Sequence, residues 1–464
     1  MTLQGRLQTS FIVPFSFAQG RNDEGLAALP AVAERVPIMV AALRAAGTWQ
    51  RSGRLESGYF HRSARAVLGR FTWLRWTGPQ TCAVVLQADA TREQTIPDLH
   101  LEVELALHAT GIGLLITTLS REGLCAPDVL LLNERFRILE QAWGGQFLPR
   151  AVDIGQTIAV FDGSQVDGWH NGWVRHLLGP LIGGVMDWRL TPHPDPRAFV
   201  HTWWGLPHPP TDALWEPFSW VDAAPGSSAR TDDATMAELR RDVDYRRWWE
   251  GGTRYGITRY SFACMQQVGP GRFDVSRHMA GTYRDLVCLQ LLRQARLIDL
   301  EEEASRLARH LSGPKPHDAV DDARRLRAHL LQYATAQDLR MPVHQEQGID
   351  LADRLARQLR LDELHDTLHR DAERAERWLS EAATNRLSHR VGQLTLVLAA
   401  VGVWAGFAGA NGPDQGLLSL QGSWPWPFAP GVVPFVLVNV AAAVIIIAAL
   451  WAGGRLVDHL RGLD

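Results

Sequence analysis

The alternation of hydrophobic and polar positions changes character twice along the chain. Up to about residue 265, short runs rich in β-branched and aromatic residues alternate with helical patterns. Strands are expected at Ser10 to Phe17, Ala83 to Gln87, His100 to Ala106, Gly113 to Thr118 and Arg259 to Met265. Helices are expected at Pro30 to Ala46, Val129 to Trp143 and Met236 to Trp249. The run Phe11-Ile12-Val13-Pro14-Phe15-Ser16-Phe17 after Arg6 reads as a first strand and not as a signal peptide, because it is short, holds Pro14 and lacks a small-x-small site. Residues 1–265 are thus expected to form a mixed α/β domain. Ala223 to Ala234, with Pro225, Gly226, Ser227 and Ser228, reads as a linker or surface loop.

From 276 to 390 the period becomes helical. Ser276 to Leu311 carries leucines among charges and is closed by Gly313 and Pro314. A second helix is expected from Asp318 to Leu339, closed by Pro342, antiparallel to its neighbours. No Gly or Pro occurs from Ile349 through Arg390, and Asp350 is a candidate N-cap. Leu361, Leu364, Leu368, Ala375, Leu379, Ala382 and Leu387 fall mostly at helical spacing. The pattern predicts one unbroken stalk helix of about 60 residues, roughly 90 Å long, running into the next segment. Such a stripe must be covered, and copies of the same chain are the expected cover.

The third segment is apolar. Gly431 to Gly454 has no charge and, at about 36 Å as a helix, matches a bilayer core. Val391 to Ala410 is shorter, with Gln393 and Thr395, and sets Ala399, Gly402, Gly406 and Gly409 at three- and four-residue steps. Two transmembrane helices are therefore expected at 391–454, with an outer loop at 411–430 and a tail at 455–464. Arg386 and Arg390 before the first span, Arg455 and Arg461 after the second, and no Lys or Arg between put both termini in the cytosol of a plasma membrane. Trp424, Trp426 and Trp451 suit the two interfaces.

Composition narrows the chemistry. The formal net charge of the 464 residues is −3, which gives no footprint for nucleic acid. The four cysteines, Cys82, Cys125, Cys264 and Cys288, lie far apart and suit a reducing compartment. No P-loop, HExxH or GxSxG is present, so no enzyme is expected. His170, His176, His193, His201 and His208 fit no metal spacing and read as structural or surface groups. The pairs Trp203-Trp204 and Trp248-Trp249 read as core, with a small-molecule pocket as the alternative. His365 and His369 share a helix face near Asp362 and Asp366, either as a transition-metal site or as a solvated face. Glu301, Glu302 and Glu303 form the densest acidic run, either a Mg²⁺ site between subunits or a solvated face.

An α/β domain, long antiparallel helices, and a stalk entering the first of two C-terminal spans together resemble the CorA-like metal ion transporter family. Asn385-Arg386 before Leu394-Thr395 looks like the family's entry into its first span, and Gly409-Ala410-Asn411 looks like its Gly-Met-Asn signature. The resemblance covers about 276 to 464. It implies a pentamer for Mg²⁺ or another divalent cation, with Gly409, Ala410 and Asn411 at the pore mouth. It also implies that Ser388, Thr395, Ala399, Gly402 and Gly406 line the pore or the helix contact. Ala410 in place of Met, Ala408 in place of the usual Tyr, and a basic tail cut to Arg455, His459 and Arg461 depart from the pattern. Three functions are weighed. The first is a divalent cation channel gated by its cytosolic domain. The second is a ligand-gated effector in bacterial signalling or defence, sensing a small molecule. The third is a non-conducting anchored binding protein.

Overall fold

The computed structural model describes residues 4–16, 36–53, 58–87, 93–138, 151–154, 157–160, 197–221, 233–311, 318–336 and 339–410, with a few single positions left out. The chain divides into two compact units, Met1–Ala372 and Glu373–Asp464.

The first unit is built on one twelve-stranded sheet. Its strands are β1 (Gln4–Ser16), β2 (Trp49–Arg51), β3 (Phe71–Trp76), β4 (Thr81–Gln87), β5 (Glu93–His108), β6 (Ile112–Cys125), β7 (Ala151–Ile154), β8 (Thr157–Val160), β9 (Phe199–Leu206), β10 (Asp244–Tyr245), β11 (Thr253–Ile257) and β12 (Ser261–Gln267). The order is β10-β11-β12-β9-β1-β6-β5-β4-β7-β8, with β3 also on β5 and β2 on β3. All pairings are antiparallel except β9 with β12.

The N-terminal strand lies at the centre, between β6 and β9. A proline in a central strand ordinarily removes a ladder bond. Here β9 pairs with β1 only from Arg6 to Ile12, so the edge is already open at Pro14. Leu7, Phe11, Val13 and Phe15 point to one face and join the main core. That face is covered by α2 (Ala126–Phe136) and α3 (Asp212–Trp220). Within it Thr9 Oγ1 donates to Asn133 Oδ1 at 2.9 Å, and Asn133 Nδ2 donates to Thr202 Oγ1 at 3.3 Å. This buried triad ties β1, α2 and β9 together, since each group would otherwise be desolvated without a partner.

The opposite face carries more polar groups. A short α1 (Arg62–Leu68) packs there, while α4 (Asp233–Val243) precedes β10. The main cover is α5 (Arg284–Leu311), whose residues Leu286 to Leu292 are buried on every side. It lies between the sheet and two further helices, α6 (Asp318–Ala336) and α7 (Glu346–Gln358). A helix buried on all sides keeps its polar groups only if each is paired. Arg284 meets Glu104 of β5 at 2.8 Å, Gln294 Nε2 donates to the Leu359 carbonyl at 3.2 Å, and Arg293 donates to the Leu339 carbonyl at 3.3 Å.

Several expectations are corrected. The helix expected over Ser276 to Leu311 is not uniform: a helical turn Ser276–His278 passes into a π-helix, Met279–Tyr283, before α5. The stalk is not one helix. It breaks after α7, where Arg360 takes a φ of 55°, and resumes as α8 (Leu361–Ala410). A left-handed residue cannot continue an α-helix. Asp350 is inside α7, whose N-cap is Gln345. Trp248 and Trp249 lie in a turn beyond α4. Most of the helix expected at Pro30 to Ala46 and the linker at 223–234 lie outside the described residues.

The membrane architecture is corrected as well. Among the described residues no helix is long and apolar enough to cross a membrane. Gln393 and Thr395 fall within the apolar stretch of α8 that begins at Val391. The second expected span, the outer loop and the tail, 411–464, lie outside the described residues. The fold is thus a large mixed sheet with helices, and two C-terminal transmembrane helices, with the membrane channel they would build, are not supported.

Candidate functional site: a tyrosine seam

Four of the six tyrosines converge at the β10 end of the sheet, on the face covered by α5. Strand register sets the first two. Tyr245 of β10 stands opposite Tyr255 of β11, and Tyr255 stands opposite Cys264 of β12, so all three share one face. The π-helix delivers Tyr283, and the chain ahead of α1 delivers Tyr59. Ring centroids are 6.2 Å apart for Tyr245 and Tyr255, 6.2 Å for Tyr255 and Tyr283, and 6.3 Å for Tyr59 and Tyr283, all three pairs edge to face. Phe262 packs against Tyr283 and Tyr255 at 6.1 and 6.3 Å.

The hydroxyls of Tyr59, Tyr255 and Tyr283 lie close enough to perturb one another electrostatically, and Gln347 acts on Tyr255. Tyr245 donates to Asp350 Oδ2 at 2.8 Å. Arg247 bonds Glu346 at 2.8 Å and lies 3.6 Å from Asp350. Every partner on the helix side belongs to the first turns of α7. Gly348 makes the approach possible: a Cβ there would stand 2.1 Å from the Tyr59 hydroxyl oxygen and 2.8 Å from Val343 Cγ2.

The electrostatics exclude ionised phenols. Burial pushes Tyr59 up to about 12. Burial, then its bond to the Asp350 carboxylate, pushes Tyr245 up to about 12. Burial also raises Tyr255, Tyr283 and the Cys264 thiol. At neutral pH the seam therefore offers hydroxyl donors and aromatic edges, with neither a thiolate nor a phenolate to act as nucleophile or base. Its chemistry is that of a joint: it fixes α7 and the π-helix to the sheet edge.

The π-helix has a second tether. His201 of β9 is buried, and its Nε2 donates to the Met279 carbonyl at 2.7 Å, with its ring edge-on to Phe262. Burial holds the imidazole neutral, its pKa lowered to about 4, which fixes the proton on Nε2.

The residues singled out from sequence are dispersed. Glu303 is buried and paired with His329 at 2.9 Å and Arg296 at 3.9 Å, whereas Glu301 is exposed. His365 and His369 do share a face of α8, with rings 6.2 Å apart and Tyr333 against His365. Among the described residues no group of three His, Cys, Asp or Glu could hold a metal. Ser388, Thr395, Ala399 and Gly402 are exposed, and the Thr395 hydroxyl bonds back to the Val391 carbonyl. Gly406, Gly409 and Ala410 fall within α8, while Asn411, His170, His176 and His193 lie outside the described residues. Trp203 and Trp204 are buried on opposite faces of β9, as core residues. The seam was missed because its members come from positions 59, 245, 255, 283 and 347–350; the one local signal is a tyrosine at inward positions of two adjacent strands.

No family model matches this chain, and neither a curated protein nor a solved structure matches it.

Proposed function

We propose that this chain is a non-catalytic binding and assembly protein, in which α8 joins copies of the chain. The observation that supports the reading is the surface of α8. Val391, Leu394, Leu396 and Leu398 are 54 to 63% exposed, and Trp378 is 43% exposed. Covering one such aliphatic side chain contributes about 1.5–3 kcal/mol, so four left in water are a strong drive to associate.

The pattern favours a second copy as the cover. Val391, Leu394 and Leu398 lie on one helix face, and Leu396 lies on the other side. A helix apolar on both sides needs neighbours on both sides, which points beyond a dimer. A Cβ added at Gly392 or Gly402 would meet nothing within 4 Å. Glycine costs a helix about 1 kcal/mol, and close approach of another helix backbone is what repays it. Acids and arginines alternate from Arg370 to Arg377, so a copy of the same helix offers opposite charges. The protonated tyrosine seam agrees with a binding role and supplies no catalyst.

The test is the mass of the full chain in solution by sedimentation velocity and light scattering. The expected result is an oligomer larger than a dimer that falls apart in Leu394→Glu Leu398→Glu with its near-ultraviolet spectrum intact. A monomeric wild-type chain at tens of micromolar would overturn the proposal.

A further inference from the structure

We infer that the joint between α7 and α8 is a two-state hinge, broken at Arg360 as observed and able to close into one continuous helix. The hinge stands on its own geometry; only its link to association of α8 rests on the assembly reading. Arg360 holds a φ of 55°. Glycine ends a helix in this conformation without steric cost, whereas an arginine there is strained. The sequence offers no Gly or Pro from Ile349 through Arg390, so the local preference is for unbroken helix.

The break leaves backbone groups open. In a continuous helix the amides of Leu361, Asp362 and Glu363 would donate to the carbonyls of Arg357, Gln358 and Leu359. Among the described residues none of these three amides makes a backbone bond, and helical bonding resumes with Leu364 N–H to the Arg360 carbonyl at 3.1 Å. The Leu359 carbonyl thus has two alternative donors. Gln294 Nε2 of α5 holds it in the broken form at 3.2 Å, and the Glu363 amide would take it in the continuous one. The grip of Gln294 is incomplete, because its Oε1 is buried without a hydrogen-bond partner among the described residues.

Packing opposes closure. Leu361 and Leu368 of α8 are buried, and the His365 ring lies 5.9 Å from that of Tyr333 on α6. α7 is docked separately, through Leu351 and Leu355 and through Asp350 in the tyrosine seam. A straight rod redirects one helix against the other, so the first turns of α8, with fewer anchors, leave the domain. Three backbone bonds and the relief of one left-handed residue stand against two leucine side chains and one amide bond, sums of similar size. A hinge so near balance is tipped when copies of the chain cover the exposed leucines of α8 and draw it away.

The experiment reads the distance between spin labels at Asp353→Cys and Arg370→Cys by double electron–electron resonance. Both positions are exposed, and Cys125→Ser removes the one native cysteine that is not buried. A continuous helix sets the two backbone positions about 26 Å apart, and a bend shortens this. Arg360→Gly favours the left-handed residue and Arg360→Val disfavours it. The ratio of long to short distances is expected to rise at least about fivefold from Arg360→Gly to Arg360→Val, and to rise also in Gln294→Leu. Should Arg360→Val fold poorly, Gln294→Leu against Arg360→Gly makes the same comparison. The series is run in Leu394→Glu Leu398→Glu, so the hinge is read apart from assembly. One unchanged distance across the series overturns the hinge, whatever the mass of the wild-type chain. A ratio that does not rise when Leu394 and Leu398 are restored overturns the link to assembly.

Discussion

Lowering the pH from 7.5 to 5.0 should remove a large share of this protein's stability through two buried histidines. His201 is held neutral by burial, with its pKa lowered to about 4, and its Nε2 donates to the Met279 carbonyl. His108 is buried on β5, where Thr110 N–H donates to its Nδ1 at 3.3 Å. Burial, then the positive charge of Arg70, lowers its pKa to about 3. Both folded values lie below the unfolded value of about 6.5, so the unfolded chain takes up protons first. The stability from keeping these rings neutral is complete above about pH 6.5 and is lost as pH falls toward 3–4. Each pH unit in that window costs about 1.4 kcal/mol per ring, so by pH 5 the two together lose about 4 kcal/mol. Domains commonly hold only about 5–15 kcal/mol in all. Urea unfolding followed by tryptophan fluorescence at pH 7.5, 6.5, 5.5 and 5.0 reads this directly. In His108→Gln His201→Gln, whatever its absolute stability, the slope over this window should flatten. A wild-type midpoint independent of pH, or a double variant that keeps the full slope, would refute the reasoning.

Two further outcomes test packing. Gly348→Ala should lower stability by about 1–2 kcal/mol, because crowding against the Tyr59 ring and Val343 outweighs the gain in helix propensity; the loss should shrink in a Tyr59→Ala background, where only the Val343 contact remains, and an equal loss there would show that the seam is not what Gly348 serves. Asn133→Leu should cost about 1–3 kcal/mol by stranding the hydroxyls of Thr9 and Thr202, with most of it recovered by adding Thr9→Val and Thr202→Val, as read by denaturant midpoints.

The strands were the most legible part of the chain. Val13 and Phe15 on one face and Ile12 on the other are all buried, and an apolar run covered on both sides reads as a strand without knowledge of its partners. The partners themselves were not legible. Nothing local to Ser261 to Gln267 says that it runs parallel to β9, and β10 is two residues long. The break at Arg360 was hidden for a different reason: arginine is an ordinary helix former, and only tertiary contacts such as Gln294 with the Leu359 carbonyl hold it in a left-handed conformation. Hydropathy was over-read in the C-terminal part. The same apolarity that fills a lipid core also drives helices to bury one another, so the run from Val391 did not by itself define a span. Among the candidate groups, Glu303 shows why charge runs mislead: one member of the acidic triplet turns inward to His329, while Glu301 faces solvent.

The central place of the first strand bears on how the chain is made. A ribosome releases β1 before either of its partners, and the first partner to emerge, β6, lies about a hundred residues on. Its other partner, β9, follows only after roughly 190 residues, a wait of about 10–40 s at common synthesis rates. Throughout that interval the Arg6 to Ile12 edge of a strongly apolar strand stands open, which is a template for pairing with other nascent chains. Polysome crowding therefore threatens this protein more than it would a fold in which β1 had only one, nearby partner. Chaperone occupancy of nascent chains should rise after β1 emerges and fall once β9 and β12 have cleared the exit tunnel.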